Sequence, residues 1–152
     1  MVTTPARLAT ASHLHDAITH AVRRKRAADH DLALLLRRCV DELLYRDLGY
    51  ISITQYAEQA HSLGPSKTRA LVRLADTMQH IPDLADAVRD GVIPWTKARE
   101  VARVITPTSA AEWLDHAQTV SNRELESLAR HALTGDTVAQ AEARRHASDD
   151  LH

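Results

Sequence analysis

Apolar residues in this chain recur at i, i+3, i+4 and i+7 in one segment after another, and that spacing lines one face of an α-helix. Leu14, Ala17, Ile18 and Ala21 follow it, as do Ala98, Val101, Ala102 and Ile105. Ala110, Trp113, Leu114 and Ala117 repeat it, and so do Leu125, Leu128, Ala129 and Ala132. A longer stripe runs through Leu32, Leu35, Leu36, Cys39, Val40, Leu43 and Leu44. No stretch alternates as a half-buried strand does. Two Trp, three Tyr, no Phe and only four Gly in 152 residues also argue against a sandwich or barrel, whose strands favour aromatics and whose turns favour Gly. The spacing therefore predicts an all-α, compact domain of seven or eight short helices, over 8–27, 30–47, 53–61, 67–79, 83–90, 97–105, 109–119 and 122–133. A weak polar helix over 136–147 is a further expectation.

Caps and breakers mark the boundaries. Ser52 with Gln55, Ser109 with Glu112 and Ser121 with Glu124 read as capping boxes, in which the Ser oxygen accepts a free first-turn N–H and the acid or amide reaches back. Ser66 and Thr96 are further N-cap candidates. Gly49, Gly91 and Gly135 suit left-handed helix stops, and Pro65, Pro82, Pro94 and Pro107 fall between the periodic segments, where a missing N–H does least harm. The organisation expected is an N-terminal helix with a basic end (1–29), a helical domain (30–134) with a helix-turn-helix at 53–79, and a weakly ordered C-terminal tail (135–152).

Charge narrows the function. Lys and Arg total 19 against 20 Asp and Glu, a net charge of −1. Contact with a nucleic acid therefore needs a local basic patch rather than a global field. The single Cys39 leaves no internal disulfide and no Cys-cluster zinc site and fits a reducing cytoplasm. No apolar run approaches a membrane span, and no secretory signal pattern opens the chain. The ten His residues hold no His-x-x-x-His pair within a helix, so neither a metal site nor a catalytic centre is expected, and no cofactor motif is present.

The local pattern richest in chemistry is Ser52 to Ala75: a capped helix, a Gly-containing turn and a second helix, the order of a helix-turn-helix. Gly64 is expected to take the turn's unusual dihedrals. In the second helix Leu71, Leu74 and Met78 form the inward stripe, so Arg69 and Arg73 point outward one turn apart. Ser66, Lys67 and Thr68 occupy the first turn, where free amides and the helix dipole attract phosphate. Arg69 is the first choice for a base edge, with Arg73 and the Ser66–Thr68 amides on phosphates. Gln55, Lys97 and Arg99 are second-rank phosphate contacts. Arg103 with Glu100 reads as a surface ion pair, and Arg23-Arg24-Lys25-Arg26 as a solvated helix end or a non-specific phosphate clamp. Asp76, Asp83, Asp86 and Asp90 would oppose a phosphate backbone if they shared the Arg69 face. Two capped helices joined by a Gly turn also occur in any helical bundle, so a protein–protein or dimerisation module using the Leu32–Leu44 stripe is the rival reading.

The order of several landmarks resembles a known family. Leu48-Gly49-Tyr50-Ile51-Ser52, then Ser62-Leu63-Gly64-Pro65-Ser66-Lys67-Thr68-Arg69-Ala70-Leu71-Val72-Arg73, then Ile81-Pro82-Asp83-Leu84 follow one another. Gly91-Val92-Ile93-Pro94-Trp95-Thr96-Lys97-Ala98-Arg99, Val104-Ile105-Thr106-Pro107, Trp113 and Asn122-Arg123-Glu124-Leu125-Glu126 continue the series. Over roughly residues 30–130 this resembles the helical N-terminal region of bacterial HNH-endonuclease-type proteins. The same order is similar to the helix-turn-helix DNA-binding domain of ParB-type partition proteins, although the β-branched residue usual six places after the turn Gly is Ala70 here. The nuclease part of the first family would need a His-rich metal motif, commonly with paired Cys, downstream of this region, and the chain has neither. The resemblance thus implies a DNA-facing or accessory module, alone, as a homodimer or beside a nuclease partner, rather than a nuclease, with nuclease activity expected only if a partner or a missing C-terminal domain supplies the metal site.

Overall fold

The computed structural model describes residues 4–151 and is helical throughout, with nine helices among the described residues. The first, α1 (Pro5–Asp41), is a single rod of 37 residues, about 55 Å long at 1.5 Å per residue. The Thr4 hydroxyl caps it by accepting from the Arg7 amide at 3.2 Å, and Pro5 occupies the first turn. The break expected near residues 28–29, and with it the boundary between an N-terminal helix and the main domain, is absent. Ala27-Ala28-Asp29 holds no Gly or Pro, and nothing in it stops a helix. The chain breaks later, at Leu43, which adopts a left-handed φ of 56°, so the helix expected over 30–47 is split. A single turn, α2 (Leu44–Asp47), follows.

Next comes α3 (Ile53–His61), capped by Ser52, whose Oγ accepts from the Gln55 amide at 3.0 Å. The turn's left-handed residue is Ser62, at φ 58°. Gly64 is extended at φ −64° and ψ 149°, which corrects the role expected of it. Then α4 (Pro65–His80) begins at Pro65 with Gly64 as its N-cap, so Ser66 lies inside the helix instead of capping it. Thr96 is likewise inside α6 (Trp95–Ala102), whose N-cap is Pro94. Between them α5 (Pro82–Arg89) starts on a proline, whose fixed φ suits a first helical position.

The last three helices are α7 (Ala110–Thr119), α8 (Asn122–His131) and α9 (Val138–Asp150). The capping boxes expected at Ser121 and Ser109 do not close. Ser121 accepts from the Glu124 amide at 3.1 Å, but the Glu124 carboxylate reaches Arg145 of α9 instead of its own cap. Ser109 makes no cap bond; its hydroxyl accepts from the Thr106 amide, and Glu112 accepts from the Val138 amide across to α9. The complete capping box belongs to Thr137 and Gln140. It opens α9, so the polar helix expected over 136–147 is present, with Val138 and Ala141 buried.

At the centre lies α4, packed against α1, α3, α5 and α6, while α6 leans on α8 and α8 on α9. Leu71, Leu74, Leu84, Val88, Ile93, Val101, Val104, Trp113, Leu125 and Leu128 form the sealed core. The Trp113 indole N–H donates to the Asp136 carbonyl at 2.8 Å, which satisfies the one polar atom of the largest buried side chain. The body covers only His30, Ala33 and Leu36 of α1 fully. The Leu32–Leu44 stripe is thus divided, with Leu36 inside and Leu35, Leu43 and Leu44 outside. The N-terminal half of α1 projects from the body with Leu8, Leu14 and Ile18 more than half exposed. No helix among the described residues is long and apolar enough to cross a membrane.

Candidate nucleic-acid interface

The inward face of α4 consists of Thr68, Leu71, Leu74, Ala75 and Met78. A helix that buries those positions must turn Ser66, Arg69 and Arg73 to solvent, and all three are exposed. Alongside, α6 buries Ala98, Glu100 and Val101, which brings Arg99 and Arg103 to its outer side. The two helices together frame a groove of about 610 Å³ lined by Ser66, Arg69, Ala70, Arg73, Leu74, Thr77, Arg99, Glu100, Ala102 and Arg103. Four guanidiniums therefore meet one carboxylate around a single concave surface.

That carboxylate is almost wholly buried, at 5 % exposure. Glu100 Oε2 accepts from Arg103 Nη1 at 3.2 Å, and Oε1 lies 3.5 Å from Arg99 Nε. The Arg99 Nε is buried without a hydrogen-bond partner, and its guanidinium sits over the Trp95 ring at 5.1 Å. Arg69 and Arg73 have no carboxylate partner among the described residues. The acidic residues that follow them in sequence are largely occupied elsewhere. Asp76 binds Arg37 of α1 at 2.8 Å. Asp86 and Asp90 both pair with Arg89.

The other residues expected at the interface have different positions. Thr68 is fully buried; it shares the inward face with Leu71 and Ala75, and its hydroxyl donates to the Gly64 carbonyl at 3.0 Å. It has no surface to offer a ligand. Lys67 turns back to Asp29 of α1 at 3.3 Å, with its ammonium 5.3 Å from the Trp95 centroid. Lys97 closes the end of α7, donating to the carbonyls of Ala117 at 2.7 Å and Val120 at 2.6 Å. Burial, and next the nearby Arg26, hold its pKa below the usual lysine value. Gln55 is a cap residue, its amide oxygen accepting from the Ile51 N–H at 2.8 Å, and it lines a separate small cavity with Ser52, Thr54, Glu58, Gln59 and Pro65.

Of the eight residues singled out in the sequence, the groove thus gathers Ser66, Arg69, Arg73 and Arg99. It adds Arg103, Thr77 and the buried Glu100. The stripe of α6 places Arg99 and Arg103 on one outer face, but nothing local says that this face looks toward α4. In the basic run of α1, Arg26 is tied down by the carbonyls of Gly91 and Val92 at 3.2 and 3.1 Å, while Arg23, Arg24 and Lys25 are exposed. Among the described residues no three His, Cys, Asp or Glu side chains converge as metal ligands. No family model, curated protein or solved structure matches the chain.

Proposed function

We propose that this chain is a non-catalytic DNA-binding protein of helix-turn-helix order whose α4–α6 groove receives the sugar–phosphate backbone. The observation that carries this reading is the set of four guanidiniums around one groove, two of them without a carboxylate partner. Guanidinium binds phosphate oxygens in a bidentate fork, and a cluster on one surface creates a local positive field even when net charge is near zero. The sequence resemblance to the region preceding HNH nucleases supports a DNA-facing or accessory role. The one acid of the groove lining, Glu100, is buried and engaged by Arg99 and Arg103.

A mobility-shift titration tests the reading. The wild-type chain retards duplex DNA at low salt, and binding falls as salt rises. Arg69→Ala and Arg73→Ala each weaken it about tenfold or more while helicity is unchanged, since both side chains are exposed. Absence of any retardation at about 50 mM salt overturns it. Incubation with plasmid and a divalent metal leaves the plasmid un-nicked.

A second reading, a dimerisation or nuclease-docking module, is favoured by the apolar residues outside the core: Leu14 and Ile18 on α1, and Leu35, Leu48 and Ile51 nearer its far end. Leu35 is 63 % exposed, so Leu35→Asp leaves the core intact. Light scattering that shows a dimer lost in this variant, with no DNA retained, selects the second reading.

A further inference from the structure

Resting on the DNA-binding reading above, we infer that the groove grips the phosphates of a strand and does not read bases, so that binding is indifferent to sequence. A helix that reads base edges must stand clear of its neighbours to enter a major groove about 12 Å wide. Here α4 is packed on four other helices, and it shows solvent only a narrow strip. That strip is the bottom and one lip of a concavity, a shape into which a ligand enters and which cannot itself be inserted. Two of the three polar side chains at the start of α4 are committed elsewhere: Thr68 is buried and Lys67 is paired with Asp29, which leaves only the short Ser66 hydroxyl beside the arginines.

What the groove presents instead is two rows of like chemistry. Arg69 and Arg73 stand one turn apart on the α4 lip, and Arg99 and Arg103 one turn apart on the α6 lip. Each pair is separated by about 6 Å along its helix axis, on the scale of the step between successive phosphates of a strand. The buried Glu100 carboxylate lies between the two α6 arginines, accepting from Arg103 Nη1 at 3.2 Å and lying 3.5 Å from Arg99 Nε, which holds both on the lip.

Fluorescence anisotropy with labelled oligonucleotides tests the inference. Scrambled duplexes of about 20 base pairs and equal composition bind within about threefold of one another. The plot of log K against log salt has a slope of about −3 to −4, four phosphates neutralised. Arg69→Ala and Arg103→Ala each flatten that slope by about one. A duplex preferred about tenfold or more over its scrambled forms at about 200 mM salt overturns the inference and leaves the DNA-binding reading standing. Binding to RNA strands of equal length but to no DNA keeps the phosphate-directed inference and retires the DNA reading. No binding to any strand at about 50 mM salt overturns both.

Discussion

A β-carbon added to Gly91 would lie 2.5 Å from the Arg23 carbonyl oxygen and 2.8 Å from its Cα, and the residue holds a φ of +70°. Both facts forbid a side chain, because α1 and the α5–α6 turn touch backbone to backbone there and Arg26 clasps the same turn through two carbonyls. Gly64 is the opposite case, extended and with nothing within 4 Å of its would-be Cβ. Gly91→Ala is expected to cost about 2–4 kcal/mol, and Gly64→Ala about 0.5 kcal/mol or less, as read by urea unfolding. Sequence spacing identifies Gly91 as a left-handed stop, but the close approach of Arg23 comes from a residue 68 positions away and leaves no local trace. Lys67, Thr68 and Lys97 share that limitation. The helical wheel assigns a side chain to a face, but whether a lysine on that face meets water, a carboxylate or two orphan carbonyls depends on which helix lies opposite. Thr68 was the one of the three whose place was readable, since it sits three residues before Leu71 and seven before Ala75.

Helix by helix, the sequence was informative where a stripe and a breaker coincided, as at α3, α5, α7 and α8. It failed at the middle of α1, where the charged run Arg23-Arg24-Lys25-Arg26 separates the Leu14–Ala21 stripe from the Leu32–Leu44 stripe, although no residue there stops a helix. It also could not say which capping acids would fold back. Glu112 and Glu124 both have partners on or at the start of α9, and these draw them away from their own caps. The attachment of α9 is concentrated on Asp136, whose carboxylate accepts from Arg144 at 2.8 Å and from the Leu133 amide at 2.9 Å. The Arg144 bond first, then the Leu133 amide, hold its pKa below the usual carboxylate range. A group so shifted stabilises the fold above its ordinary pKa and loses that contribution as pH falls through the lower folded value. Thermal melts should therefore show wild type losing stability more steeply than Asp136→Asn as pH drops below roughly 4, with the variant less stable than wild type at neutral pH.

At the scale of the whole molecule, a near-neutral chain concentrates positive charge in one groove by pairing many of its acids elsewhere: Asp76 with Arg37, Asp136 with Arg144, Glu124 with Arg145. Composition alone conceals this, because a total is blind to location. Two rows of arginine become one surface only when α6 is laid beside α4, and that arrangement is set by the core. The projecting half of α1 contributes nothing to this core, since none of residues 4–22 is buried. A chain beginning at Arg23 should melt within about 2 °C of the full chain while its circular dichroism falls by the helix removed.

The two tryptophans stand in different surroundings. Trp95 lies beneath Lys67 and the groove residue Arg99, and Trp113 is sealed in the interior against Asp136. The protein thus contains its own pair of optical reporters. An anion that draws Arg99 off the indole changes emission from Trp95 and leaves Trp113 silent, whereas undocking of α9 lets water reach Trp113 and shifts its emission to the red. Trp95→Phe should abolish the first signal and retain the second.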